Sequence, residues 1–268
     1  MTYALDEATQ LESLGGRRYA LRSDKRFWNM RSMFGGWSAA ASAQAVMQDE
    51  EFRGDVLTQT VNFQSAIVAE NLVVQVRLSE RRRALDYWQV DIAAADTPDE
   101  TQASVLIVSG TRNATERSFE IDMPAHRAAA DSFRLPSSES TPNWFSHFDI
   151  RLAKGRPFSV NPTPNSVTYV REEDGRTLDS KALLAIADTP MPRTFFVSEE
   201  MVVAATITLS THIYASPQML ADVGNDFVML DTQSKTIRDS LINQETHLFS
   251  PMGRLLAASY QTAYFRET

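Results

Sequence analysis

The chain has 268 residues and a formal charge of -8 at pH 7, enough for one large domain or two of about 130 residues each. It contains no cysteine, which excludes disulfides, thiolate metal sites, iron–sulfur clusters and thiol nucleophiles. The acidic balance argues against nucleic acid as the main partner, because phosphate backbones are held by clustered Lys and Arg. No stretch approaches the ~20 apolar residues that span a bilayer. The N-terminus lacks a basic-then-apolar signal pattern, so a cytoplasmic protein is expected. His126, His147, His212 and His247 are the four histidines; none shows H-x-x-H or H-x-x-x-H spacing. Neither a metal nor a cofactor is expected.

The first helix signal begins at Gly35-Gly36. From Trp37 to Gln48, Trp37, Ala40, Ala41, Gln44 and Met47 recur at helical spacing. The segment is rich in small residues, as a helix packed closely on a sheet would be. Alternation then takes over. Leu57 to Ile67, Leu72 to Leu78, Leu85 to Ala94 and Ala103 to Thr111 read as four strands. Their short connections imply antiparallel pairing. From Arg112 to Pro142 the pattern weakens, and Met123-Pro124, Pro136-Ser137-Ser138 and Thr141-Pro142 punctuate a long linker.

The second half repeats much of this order. Phe148 to Leu152 and Ser166 to Arg171 read as strands. Leu178 to Asp188 reads as a helix, stopped by Pro190 and Pro192. Ala204 to Tyr214, Asp226 to Ser234, Ser240 to Phe249 and Arg254 to Arg266 read as four more strands. A helix followed by four strands, twice, is an internal structural repeat. One helix wrapped by a curved antiparallel sheet leaves an unpaired sheet edge, and two such units can pair their edges. The expected boundaries are a first unit over 1–115, a linker over 116–145 and a second unit over 146–268.

At this point the chain resembles the acyl-CoA thioesterase II family. The resemblance runs from about Leu21 to Arg266, and four local matches carry it. Met33-Phe34-Gly35-Gly36 is similar to that family's F-G-G helix start. Asp188, Thr208 in Thr206-Ile207-Thr208-Leu209, and Gln261 in the last strand fall where the family has its Asp, Thr or Ser, and Gln. The resemblance implies an α+β double hotdog, two helix-wrapped antiparallel sheets forming a pseudo-dimer in one chain, and allows a homo-oligomer of such pseudo-dimers. It implies an acyl-CoA substrate, hydrolysed by a water that Asp188, Thr208 and Gln261 hold, with Gly35, Gly36 and Trp37 on the substrate. Two departures stand out. Trp37 replaces the family's Gln after Gly-Gly, and Ser210-Thr211-His212-Ile213-Tyr214 replaces its Asp-His and Trp-Phe-His pattern.

Read plainly, Asp188 is a polar helix end before Pro190. A carboxylate in the last helical turn meets the negative end of the macrodipole, however, so it needs a partner or a function. Thr208 and Gln261 are plain strand polars on the bland reading. Strict alternation puts Thr206, Thr208, Ser210 and His212 on one face, opposite Ile207, Leu209 and Ile213. The repeat alignment sets Ile107 where Gln261 lies, so that one half carries polar groups and the other an apolar wall. Gly35-Gly36 suits a tight strand-to-helix turn, and equally a helix N-terminus whose bare N–H groups face an oxyanion. Arg81-Arg82-Arg83 reads as a solvated hairpin, with contact to coenzyme A phosphates as the sharper alternative. Two rival functions remain: a non-catalytic acyl-CoA or lipid binder, and a hotdog enoyl-CoA hydratase. The hydratase needs a His five residues after its Asp, where Arg193 stands here. A serine hydrolase is disfavoured by the absence of G-x-S-x-G.

Overall fold

The computed structural model describes residues 2–267. Helix α1 (Ala4–Ala8) and a hairpin of β1 (Leu11–Gly15) and β2 (Arg18–Arg22) precede helix α2 (Gly35–Met47). Four strands follow: β3 (Asp55–Phe63), β4 (Asn71–Arg81), β5 (Leu85–Ala94) and β6 (Thr101–Gly110). A long connection then leads through β7 (Phe133–Arg134) to β8 (Phe148–Lys154) and β9 (Ser166–Glu172). Helix α3 (Ser180–Ile186) comes next, then β10 (Ala204–Ile213) and helix α4 (Pro217–Val223). The chain ends with β11 (Val228–Gln233), β12 (Ile237–Arg238), β13 (Leu241–Phe249) and β14 (Leu255–Phe265).

Most of these elements carry the expected signals. Not anticipated were α1, the first hairpin, α4 and the two short strands β7 and β12. The hairpin turns at Gly15 and Gly16, whose φ values of 81° and 61° suit glycine. α4 has a strong local start signal, with Ser216 accepting from the Met219 N–H at 3.2 Å and Pro217 in the first turn. The second helix is shorter than periodicity suggests. It ends at Ile186, which leaves Asp188 just beyond it.

The described strands form one antiparallel sheet in the order β1-β2-β4-β5-β6-β3-β10-β14-β13-β11-β9-β8-β7, with β12 on β13. The two halves meet where β3 pairs with β10, from Asn62 opposite Thr208 to Thr58 opposite His212. At the middle of that seam the Thr60 and Ser210 hydroxyls lie 2.9 Å apart.

α2 and α3 pack antiparallel against each other, and α2 lies against β3, β4, β5 and β6. Gly36 lies against Ala185 at one end. At the other end the Lys181 ammonium donates to the Gln44 amide oxygen at 3.2 Å. α2 is buried on nearly all sides, and its run of Ala, Ser and Gly is what lets a second helix come so near. A Cβ at Gly36 would sit 2.6 Å from the Ala185 carbonyl oxygen and 2.5 Å from the Phe34 ring. The sheet grips α2 through Gln59, whose amide donates to the Ala39 carbonyl at 3.0 Å.

Of the arginine run, Arg81 belongs to a structural cluster. Asp86 is fully buried and accepts from Arg53 at 2.6 and 2.7 Å and from Arg81 at 3.2 Å. Arg82 pairs with Glu80. Since the backbone oxygen at Ala185 cannot swing aside, we predict that Gly36→Ala separates the helices and costs about 1–3 kcal/mol of stability, read as a lowered midpoint in thermal or urea unfolding.

Candidate active site

The helix pair brings a carboxylate to an unusual place. Asp188 follows the C-terminus of α3, its own N–H donating to the Ala185 carbonyl at 3.2 Å. The negative end of that helix disfavours an acidic group there. The compensation comes from α2, whose N-terminus faces Asp188. A Cβ at Gly35 would lie 2.6 Å from Asp188 Oδ2 and 2.9 Å from Phe63 Cζ. Glycine at 35 therefore makes room for the carboxylate beside bare helical N–H groups. Burial pushes the Asp188 carboxyl up to about 7, while the Gly36 N–H and the Gln261 amide favour its charged form. The group thus sits near the poise of a general base.

Gln261 lies on β14, opposite Leu209 of β10 and Gln244 of β13. Its Nε2 donates to Asp188 Oδ1 at 3.0 Å and to Thr206 Oγ1 at 2.7 Å. Asp188 and Gln261, 73 residues apart, are thus in direct contact. The hydroxyl they meet is that of Thr206, which corrects the expectation of Thr208. The cause is a β-bulge. Thr206 pairs with Ala263 and Thr208 with Thr262, so Ile207 is the extra residue. A bulge reverses the alternation beyond it. Thr206 therefore shares the inner face with Leu209, Thr211 and Ile213, the last three buried. Thr208 turns to the outer face with Ser210 and His212, where His212 meets Tyr260 edge to face.

Two residues that the sequence did not single out complete the cluster. Gln244 is buried, and its Nε2 donates to Gln261 Oε1 at 2.6 Å. Its own Oε1 accepts from Arg193 Nε at 2.9 Å. Arg193 is fully buried, with no carboxylate partner among the described residues. It donates instead to the Pro164 carbonyl at 3.1 Å, the Ser166 hydroxyl at 2.8 Å and the Met191 carbonyl at 3.1 Å. Its guanidinium lies over the Phe196 ring, 4.5 Å from the centroid. Burial pulls Arg193 below the usual arginine range, although an arginine at this depth stays charged at working pH. The one sequence cue was an arginine between Pro192 and an apolar turn, and burial of such a residue is not legible locally.

Trp37 departs from its expected place on the substrate. Its ring is fully buried, and its indole N–H donates to the Ala8 carbonyl at 2.8 Å. It ties α1 to α2 and offers no accessible face. Gly35, by contrast, keeps partial exposure beside Asp188.

The raised Asp188 carboxyl has a consequence for stability. Between the ordinary value of 3.8 and about 7, the unfolded chain releases this proton while the folded chain keeps it. Ionisation of Asp188 therefore weakens the fold as pH rises through that window. Asp188→Asn is expected to raise the melting temperature at pH 8, with a gain that shrinks toward pH 4; a lower melting temperature at pH 8 would show that the charge stabilises the fold. In a carboxyl-carbon NMR titration, Gln261→Leu should move the Asp188 midpoint upward, because a donor to the charged form is lost.

Comparison with known proteins gives this cluster a context. No curated protein matches the chain. The structure resembles a protein of unknown function with a hot dog fold from Alicyclobacillus acidocaldarius, at 25% identity, a TM-score of 0.94 and 100% coverage of both chains. It also resembles a putative thioesterase II from Thermobifida fusca YX, at 18% identity and a TM-score of 0.86, covering 99% of this chain and 98% of the other. An acyl-CoA thioesterase II from Mycobacterium marinum, TesB2, aligns at 18% identity and a TM-score of 0.78 over 99% of each chain. These likenesses establish a hotdog-type α+β fold. The family model for the acyl-CoA thioesterase C-terminal domain matches residues 122–265, more than half of the sequence, and the chain belongs to that acyl-CoA thioesterase family.

Proposed function

We propose that the chain hydrolyses acyl-CoA thioesters with a water held between Asp188 and Thr206, while Gly36 holds Asp188 and Gly35 faces the thioester carbonyl. The observation that carries this reading is the Gln261 amide, which donates to both the Asp188 carboxylate and the Thr206 hydroxyl beside a helix N-terminus. Gln261 leaves Asp188 Oδ2 and the Thr206 hydroxyl proton to engage a water. A thioester carbonyl is already electrophilic, since sulfur donates poorly into it, so positioning supplies much of what remains.

The water oxygen attacks the carbonyl carbon as Asp188 accepts its proton. The oxyanion is stabilised by the N-terminal N–H groups of α2. With the Gly36 N–H given to Asp188, the Gly35 N–H is the donor that remains for it. The tetrahedral intermediate then expels the thiolate, which takes the proton back from Asp188. The products are a carboxylic acid and coenzyme A, with no covalent enzyme intermediate.

The chain on this reading is a double hotdog, with units over 1–115 and 146–268 joined by 116–145. Strand register supports it. Taking Thr60 and Ser210 as the centre of the β3–β10 seam, Ile107 opposite Gln59 and Trp88 corresponds to Gln261 opposite Leu209 and Gln244. Ile107 and Trp88 are both buried apolar side chains, so each chain has one polar site and one apolar counterpart. A hydratase reading finds no acid–base partner at the expected offset, because Arg193 is enclosed by carbonyl and amide oxygens.

The test is coenzyme A release, followed by free-thiol detection, across short, medium and long acyl-CoAs. Asp188→Asn should lower turnover by roughly 10²–10⁴, the range of a positioned base; turnover near the parent rate removes the assignment. Thr206→Val should cost roughly a hundredfold, and Thr208→Val should leave the rate unchanged. The parent rate should rise with pH through about 7 as Asp188 ionises. Ligand binding without release would identify a carrier of acyl-CoA instead.

A further inference from the structure

We infer that Arg193 and Gln244 are positioning residues: through a directed chain of hydrogen bonds they hold the Gln261 amide with its nitrogen, not its oxygen, toward Asp188. The inference rests on the proposed role of Asp188. A glutamine amide is nearly symmetric in shape, and only its surroundings decide which end is which. Ionised Asp188 only accepts and so favours the nitrogen, but protonated Asp188 can donate, and the amide then has no intrinsic reason to stay one way round. Thr206 settles nothing, since a hydroxyl both donates and accepts.

The two ends of the chain do settle it. Arg193 can only donate. Its Nε–H is given to Gln244 Oε1 at 2.9 Å, which turns Gln244 Nε2 outward. That nitrogen must then donate, and it reaches Gln261 Oε1 at 2.6 Å. The oxygen of Gln261 is thereby occupied on the side away from the site, and its Nε2 is left for Asp188 Oδ1 at 3.0 Å and Thr206 Oγ1 at 2.7 Å. Arg193 itself is clamped by the Pro164 carbonyl, the Ser166 hydroxyl and the Phe196 ring. Its orientation therefore cannot follow a rotation of Gln244. A donor-only group at one end and an ionised carboxylate at the other leave a single consistent sense for both amides.

This also accounts for a buried cation without a counter-charge. Were neutralisation the purpose, a carboxylate at position 244 would serve Arg193 better. A carboxylate cannot donate to Gln261, and the chain would lose its direction.

Gln244→Glu separates these roles. The new carboxylate pairs with Arg193, so the variant should melt at or above the parent temperature. Its second oxygen should draw the Gln261 nitrogen and rotate the amide, leaving an oxygen against Asp188. Turnover measured on the high-pH plateau should fall by about a hundredfold, as expected when a positioned group is misplaced. The orientation is read independently by NMR. The parent should show a nuclear Overhauser effect from the Gln261 side-chain amide protons to the Thr206 methyl, and Gln244→Glu should lose it. Gln244→Leu, which takes away the donor without adding charge, should weaken the same effect and lower turnover.

Retention of that effect in Gln244→Glu overturns the inference, whatever happens to the rate. Loss of the effect with an unchanged rate overturns the positioning role. If the parent releases no coenzyme A, or Asp188→Asn is as active as the parent, hydrolysis at Asp188 fails, while the NMR comparison still decides whether Gln244 orients Gln261.

Discussion

The approach of Gly36 to the Ala185 carbonyl governs the rest of the molecule. Helices normally pack 8–10 Å apart because side chains intervene. Here α2 presents glycine at the contact, so the start of one helix comes up against the end of the other. A negative helix end and a positive helix end are then neighbours. Asp188, which α3 alone would disfavour, is set against the N-terminus of α2 at Gly35 and Gly36. Burial raises the pKa of the carboxyl while the Gly36 N–H and the Gln261 amide lower it, and the balance falls near neutrality. A bulkier residue at 36 would part the helices, and one at 35 would press on the carboxylate itself.

The antiparallel helix pair has two such ends, and the protein treats them differently. Beside the C-terminus of α2 the start of α3 is closed by Asp179, which accepts from the Ala182 N–H at 2.8 Å. Arg176, Asp6 and Lys181 complete an ion-pair cluster there, with Lys181 to Asp6 at 2.6 Å. That end is neutralised and tied to α1. The Asp188 end instead has a carboxylate contacted by an amide and an N–H. The same contrast appears on the strands, where Trp88 and Ile107 pair in one half and Gln244 and Gln261 in the other. Trp88 satisfies its indole N–H within its own half, on the Ser109 hydroxyl at 3.0 Å. One half of the sheet is completed by apolar packing, and the other carries a polar chain from Arg193 to Asp188.

That polar chain runs against stability. A buried guanidinium without a carboxylate and a buried carboxyl with a raised pKa are both unfavourable placements. They persist because each donor and acceptor between them is matched, and because strands and helices fix the ends. The groups are thus held in fixed orientations at some cost to the fold.

Much of this was determined by the sequence alone. Small residues from Gly35 to Met47 required a closely packed helix, and alternation delimited the strands of the sheet. Asp188 conflicted with its helix end, and Gln261 stood on a strand whose counterpart carried Ile107; both tensions were visible as local departures from simple physics. Tertiary structure alone decided which hydroxyl joins them. Alternation is a two-residue period, and the extra residue at Ile207 shifts it only once β10 is paired with β14, so Thr206 and Thr208 exchange faces for a reason that lies in the partner strand. Trp37 was drawn into the core by a carbonyl on α1, an element too short to announce itself. Arg193 became structural because Pro164, Ser166 and Gln244 converge on it from distant segments. Period, propensity and capping act between neighbours in the chain and can be read there; the direction of a hydrogen bond between side chains depends on groups that only folding brings together.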